Sequence, residues 1–367
     1  MSASRYGDTV EDLSALLAAW GEPGYRARQV WEGLYAQRRP LEALSNLPKA
    51  LRARLAEALP LALTTVTEQT GDRGSTVKWM RETQDGAQVE TVLMRYPTRA
   101  TVCVSSQAGC AMGCSFCATG QAGFERHLSG TEILEQVVRA QHGVSERVSN
   151  VVFMGMGEPL ANEDAVWEAV ERVHGDLGIS ARHITVSTVG VVPGMLRLAQ
   201  RPLPVTLAVS LHAPDDDLRN RLVPLNRRYP LAAVIEASRV YLEAKGRRVT
   251  FEYVMLGGVN DSPSQAETLA ALLRDARLPV PPHVNLIPYN PTAGFDAEAS
   301  PRERIRRFAA VLDRRGIDTT IRANRGVDID AACGQLRMRH RSAATPVPVV
   351  ASGGARMAGR RHPREAP

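Results

Sequence analysis

The sequence predicts an α/β fold organised around a parallel sheet, open or closed into a barrel. Two observations carry this. From about residue 100, strand-like runs occur at TVCVSS, NVVFMG, HITVST, VTLAVSL, VTFEYVML, VNLIP and TTIRAN, starting about 20 to 50 residues apart. Helical patterns fill most of the gaps between them, and repeated strand–helix units bury their apolar faces by laying helices over a parallel sheet. Such folds place their chemistry at the C-terminal ends of the strands.

The elements follow in order. Residues 1–60 read as a small helical domain. Leu13, Leu16, Leu17 and Trp20 fall at helical spacing, as do Val30, Trp31, Leu34 and Tyr35. Gly21–Pro23 breaks between these segments, and Pro48 precedes a third helix, KALRARLAEAL. Arg26, Arg28, Arg38 and Arg39 make this unit basic, which suits either RNA contact or a solvated helix face. Residues 61–98 read as a β-hairpin extension, because STVKWMRE and AQVETVLM flank the turn pair Asp85-Gly86. Residues 99–340 form the core. Within it, Ser129–Glu132 makes a capping box for TEILEQVVRAQ, and Ser300–Pro301–Glu303 is expected to do the same for RERIRRFAAVLDRRG. Residues 341–367 hold almost no bulky apolar groups and read as a disordered basic tail.

Composition narrows the function classes. The chain has 367 residues, 44% hydrophobic and 23% charged, the mix of a globular protein. No apolar run approaches the roughly 20 residues that span a bilayer, and the first residues lack the layout of a signal peptide. A cytoplasmic protein with no membrane partner is therefore expected. The net charge of +6 favours a polyanionic partner. Of 45 basic residues only Lys49, Lys78 and Lys245 are lysines, as a GC-rich genome would give.

The five cysteines are too few, and odd in number, for a disulfide scaffold. Three of them form Cys110-x-x-x-Cys114-x-x-Cys117 in a loop after the first strand of the βα series. Clustered thiolates point to zinc or an iron–sulfur cluster. A closed zinc site needs a fourth ligand, for which only His127 stands nearby. Three thiolates on a cubane leave one iron open to a substrate.

With this motif the chain resembles the radical S-adenosylmethionine (SAM) superfamily. The strings CVSSQAGCAMGCSFCATG, FMGMGEPL, TVSTVG, VSLHA, NLIPYN and DIDAACGQL narrow the resemblance to the RlmN/Cfr family of RNA adenosine methyltransferases, and they spread from Cys103 to Leu336. The resemblance implies a partial (βα)6 radical SAM barrel and a [4Fe–4S] cluster held by Cys110, Cys114 and Cys117. Two SAM molecules are consumed per turnover, and an electron donor such as flavodoxin is needed. Its implied product is 2-methyladenosine in 23S rRNA, with tRNA as a second substrate, made by a monomer. It further implies that Cys333 carries the methyl as S-methylcysteine, that Glu90 accepts the ring proton, and that Cys103 resolves the adduct through a transient disulfide with Cys333. SAM contacts fall to Gly157, Glu158, Ser187, Ser210, Leu211, His212 and Asn290.

The chemistry fits these residue types. Adenine C2 and C8 lie between ring nitrogens and are not nucleophiles, so displacement on SAM fails there while a carbon radical can add. A thiolate is a competent methyl acceptor, and sulfur–sulfur exchange releases a thioether-linked carbon. Arg322, Arg325, Arg337, Arg339, His340 and Arg341 flank the Cys333 segment and suit phosphate contacts. Methylation at C8 with the same cysteines, and a non-catalytic RNA-binding protein with a metal site, are the two rivals.

Overall fold

A computed structural model describes residues 4–142, 144 and 146–336. The cysteine-poor tail, with Arg337, Arg339, His340 and Arg341, lies outside the described residues.

Three helices come first: α1 (Val10–Ala19), α2 (Tyr25–Trp31) and α3 (Lys49–Ala58). Thr9 and Asp12 cap α1 reciprocally, and α2 widens into a π-helical turn at Glu32–Ala36. Three antiparallel strands follow: β1 (Leu63–Gly71), β2 (Thr76–Thr83) and β3 (Gln88–Tyr96). The expected hairpin is β2–β3, and β1 adds a third strand to it. β3 then pairs with β4 (Arg99–Cys103), so this unit continues the main sheet rather than standing apart.

From β4 onward the pairing within the main sheet is parallel. After β4 come a small excursion of β5 (Gln107–Gly109), α4 (Ala118–Ala122) and β6 (Phe124–His127), then α5 (Gly130–Gln141). The series continues with β7 (Val148–Phe153), α6 (Glu163–Gly175), β8 (Ile184–Thr188), α7 (Val192–Gln200) and β9 (Thr206–Ser210). It ends with α8 (Asp216–Leu222), α9 (Leu231–Lys245), β10 (Val249–Met255), α10 (Pro263–Asp275), β11 (His283–Pro288), α11 (Arg302–Arg314) and β12 (Asp318–Ile321). The strand order is β1-β2-β3-β4-β7-β8-β9-β10-β11-β12, which gives six βα units and a closing strand, a partial barrel whose edges are β1 and β12.

Apolar strand residues such as Val151, Val186, Leu207, Phe251 and Leu286, all buried, fill the core together with Ile133, Val170, Leu198, Leu269 and Phe308 from the helices. Each such side chain contributes about 1.5–3 kcal/mol on burial. The Ser129–Glu132 capping box forms as expected. The Ser300 box does not: Pro301 is itself the N-cap of α11, and the Ser300 hydroxyl donates to Asp261 instead.

The segment after β12 spans the open edge of the sheet. The carboxylate of Asp72, in the β1–β2 turn, accepts the Gly326 amide at 2.7 Å and the Thr76 hydroxyl at 2.6 Å. Arg325 donates to the Ser75 hydroxyl at 3.0 Å. Beyond Cys333, the Gly334 carbonyl accepts from Ala118 (2.8 Å) and the Leu336 carbonyl from the Thr119 hydroxyl (2.7 Å). The Cys333 segment is thus fastened to the antiparallel strands on one side and to α4 on the other.

Candidate active site

The three clustered cysteines occupy one tight loop between β5 and α4. Gly109 opens it at φ +73°, and a Cβ there would lie 2.0 Å from the Gly123 carbonyl oxygen, so only glycine fits. The Cys110 amide donates to that same carbonyl at 2.7 Å, and the Cys117 amide to the Cys114 carbonyl at 3.2 Å. Burial pushes the Cys110 thiol up to about 12 and Cys114 well above its ordinary range. Such thiols stay protonated unless a metal takes them as thiolates.

Among the described residues no three His, Cys, Asp or Glu side chains gather around one point as a single metal ion requires. A cubane, which offers each thiolate a separate iron, makes no such demand. His127 is engaged elsewhere, with Nδ1 3.0 Å from Gln107 Nε2 and its ring against Phe124. With His127 so engaged, the three-thiolate donor set suits an iron–sulfur cluster.

A cavity opens beside this loop at the C-terminal ends of β7 to β11. Cys114, Cys117, Gly157, Glu158, Ser187, Ser210 and His212 line it, together with Glu252, Arg322 and Cys333. Gly157 adopts φ +103°, and a Cβ would stand 2.6 Å from the Gln107 Cβ. The buried Glu158 carboxylate accepts the Leu160 amide at 3.0 Å and the Val189 amide at 2.9 Å, joining two strand-end loops. Burial pushes its carboxyl up to about 7 despite these donors.

His212 takes a left-handed backbone conformation, φ +61°, which is strained for a non-glycine residue. Its Nδ1 accepts the Val254 amide at 3.1 Å, so the ring hydrogen sits on Nε2. Burial, helped by nearby Arg219, lowers it to about 3, which keeps the ring neutral. Arg219 itself is fully buried and donates to the carbonyls of Leu211, Ser210 and Val189 at 2.7–3.0 Å, bracing the ends of β8 and β9.

Two of the expected SAM contacts stand away from the cavity wall. Leu211 is buried, with its carbonyl given to Arg219. Asn290 donates to the Cys333 carbonyl at 3.4 Å and accepts from Asn324 at 2.7 Å, so it grips the Cys333 segment.

A second cavity adjoins the first, and Cys333 and Arg322 line both. Cys103, at the end of β4, opens onto this second cavity, with Tyr96, Arg99, Asn324 and Arg325 at its wall. Arg99 and Arg325 lie over the Tyr96 ring at 4.5 and 5.0 Å. Cys103 and Cys333, 230 positions apart in sequence, therefore face one space. All five cysteines are free. Burial raises the Cys103 thiol to about 12, while Cys333 is exposed.

A radical SAM superfamily model matches residues 104–270. A probable dual-specificity RNA methyltransferase RlmN from Chloroflexus aurantiacus is 52% identical, over 91% of this chain and 93% of the relative. The protein described in the same words from Frankia alni is 51% identical, over 91% and 84%. The chain belongs to the RlmN family. The crystal structure of a radical SAM methyltransferase from Sphaerobacter thermophilus superposes with a TM-score of 0.84 at 51% identity, covering 91% of this chain and 99% of that one. Radical SAM membership brings a [4Fe–4S] cluster and SAM, for which the cysteine loop and first cavity of this RlmN-family chain are the fitting places. No helix among the described residues is long and apolar enough to cross a membrane.

Sequence reasoning missed several groups. Glu252 on β10 accepts from Asn285 (2.8 Å) and from Arg322 (3.3 Å), which commits Arg322 to the cavity wall rather than to a free phosphate grip. Glu90 is buried on β3, its Oε1 3.0 Å from the ammonium of Lys78, another residue not singled out. Lys78 did leave a signal as one of three lysines in an arginine-rich chain.

Proposed function

We propose that this chain methylates C2 of adenosine in 23S rRNA, and in tRNA beside the anticodon, through a methyl group carried on Cys333. The observation that carries this reading is the position of Cys333 on both cavities, one beside the cluster loop and one shared with Cys103. A thiol at that junction can collect a methyl on one side and deliver it on the other. The dual-specificity RNA methyltransferase description of the relatives supports the substrate class.

When bound, the cluster and SAM supply two things: a methyl group open to displacement, and after one-electron reduction a 5′-deoxyadenosyl radical that removes hydrogen from a methyl carbon. Cys110, Cys114 and Cys117 would hold the cluster, with Glu158 available to the SAM ammonium and Ser187, Ser210 and the His212 Nε2–H to its hydroxyls and carboxylate. The Cys333 sulfur accepts the first methyl, giving S-methylcysteine. Its carbon, once short of a hydrogen, bonds to C2 and ties the protein to the RNA. Glu90 then takes the ring proton. Cys103 attacks the Cys333 sulfur: the sulfur–carbon bond breaks, a Cys103–Cys333 disulfide forms, and the freed carbon takes up a proton to become the methyl group. The unpaired electron left by radical addition passes to a one-electron acceptor, the oxidised form of a flavodoxin-type protein. An external thiol reduces the disulfide, and a flavodoxin-type protein supplies electrons to the cluster. The Cys103 thiol must lose its proton first, which its burial opposes, so resolution belongs to a state in which the adduct has already formed.

Anaerobic reconstitution with iron and sulfide, followed by SAM, reductant and rRNA, tests this by mass spectrometry of the nucleosides. 2-Methyladenosine is expected, and Cys333→Ala should form none. 8-Methyladenosine would overturn the C2 assignment. No methylated adenosine from a loaded protein would overturn the function.

A further inference from the structure

Lys78 lies on β2 and Glu90 on β3. Their strands pair with Lys78 opposite Val92 and Met80 opposite Glu90, so Lys78 and Glu90 are diagonal neighbours on one face of the sheet. Nζ stands 3.0 Å from the Glu90 carboxylate, with the two side chains only 7% and 3% exposed. The same Nζ donates to the Asp330 carbonyl at 3.3 Å. Asp330 has φ +50°, a left-handed conformation that costs a non-glycine residue free energy and is held only where surroundings fix it. Cys333 follows three residues later. Val92, Cys103, Ala331 and Leu336 form an apolar cluster alongside, the kind of medium in which a charge-assisted hydrogen bond is strong.

We propose that Lys78 is a positioning residue that holds Glu90 and the Cys333 segment in a single register through one ammonium group. This rests on the reading of Glu90 and Cys333 given above. The residue type fits the task. An ammonium is a compact charge with three divergent donors, and here one meets a carboxylate and another a carbonyl from a different element. A guanidinium presents a flat fork suited to one planar partner. Lys78 is the one buried lysine among the described residues, while Lys49 is exposed and Lys245 is half-buried. The β1–β2 turn fastens the segment at Gly326, and Asn290 and α4 fasten it at and beyond Cys333. Lys78 adds the hold between these points, and it is the hold that also touches the proposed proton acceptor. Proton removal and sulfur attack act on the same bound base. A shared tether fixes the two groups relative to each other, and small misplacements of reacting groups cost large factors in rate.

The test uses full-length, cluster-loaded protein carrying Lys78→Met, Lys78→Arg or Glu90→Gln. Three quantities are read: S-methylation of Cys333 before RNA is added, single-turnover formation of methylated RNA, and deuterium exchange at the amides of residues 327–333. In Lys78→Met, product formation should fall at least about tenfold more than S-methylation does, with exchange at 327–333 quickened. Lys78→Arg should fall between the two. Equal losses in S-methylation and product would reduce Lys78 to a structural residue and overturn the proposal, as would parental exchange at 327–333. Because Lys78→Met strands a buried carboxylate, the double variant Lys78→Met/Glu90→Gln repeats the exchange measurement without a lone charge, and the same quickening is expected. Parental RNA methylation by Glu90→Gln would refute the proton-acceptor reading, whereas the exchange result in Lys78→Met decides the tether separately.

Discussion

Replacing Glu158 by glutamine should remove a pH dependence of stability from the cluster-free protein. The carboxyl is fully buried, and loss of water drives it from 4.5 up to about 7, opposed by the amides of Val189 and Leu160. Between those two values the folded chain holds a proton at this site that the unfolded chain has released. Stability therefore falls as pH rises through this window, and the penalty is complete above about pH 7. At about 1.4 kcal/mol per pH unit, the effect is on the order of 3 kcal/mol. Glutamine is neutral throughout, but its NH2 faces one of the two amides, at a pH-independent cost of about 1–3 kcal/mol. Urea unfolding of the parent and of Glu158→Gln at pH 5, 6, 7 and 8, at constant ionic strength, measures the difference. Neutral buried histidines such as His212 contribute equally to both proteins and cancel. The parent's advantage should shrink by about 3 kcal/mol between pH 5 and pH 8 and level off above pH 7. A difference that stays flat, or grows with pH, would refute an uncompensated buried carboxylate at this position.

Three further outcomes follow from the geometry. Alkylation of the folded, cluster-free protein at pH 8 should label Cys333 first, then Cys117, and spare Cys103, Cys110 and Cys114, as read by peptide mass spectrometry, because burial holds those three thiols protonated. Gly157→Ala should lower SAM retention at least about tenfold in equilibrium dialysis with the loaded protein, because its Cβ collides with Gln107 and φ +103° is closed to alanine. Tyr241→Phe should cost about 1–3 kcal/mol in thermal unfolding without altering SAM retention, since the hydroxyl donates to the buried Val205 carbonyl at 2.6 Å, far from the cysteine loop.

Much of the architecture was readable from residue pattern alone. In β8 and β11 buried residues alternate with half-buried ones, because helices cover one face of the strands and the cavity opens on the other. β1 was not readable. LTTVTEQTG is mostly exposed along its length, as an edge strand can be, so no alternation marks it. The Ser300 capping box failed because proline one residue later took the cap itself and left the serine hydroxyl free for Asp261. In the candidate site, the cysteine trio was legible from its spacing, whereas the strand-end residues came from the family resemblance. Glu252 and Lys78 were not legible, because their surroundings arise from strand register and from partners up to 252 positions away. Arg322 was singled out by charge, yet its ion pair with Glu252 only the folded chain brings together. Leu211 and Asn290 sit beside the cavity, hydrogen-bonded to Arg219 and to the Cys333 segment.

The clasp between the β1–β2 turn and the segment after β12 joins parts of the chain made at opposite ends of synthesis. Gly326 reaches Asp72 across 254 positions, and Lys78 reaches Asp330 across 252. At about 5–20 residues per second, this gap corresponds to roughly 10–50 s on the ribosome. For most of that interval Cys103, Cys110, Cys114 and Cys117 have been made, while Cys333 has not. The loop of residues 110–117 is thus complete well before Cys333 is made, and Cys103 can meet Cys333 only after the last segment arrives. β1 also waits as an unclasped sheet edge until the final segment arrives. A chain truncated before Gly326 would keep the parallel strands and the cysteine loop, lack Cys333, and be prone to edge-to-edge association.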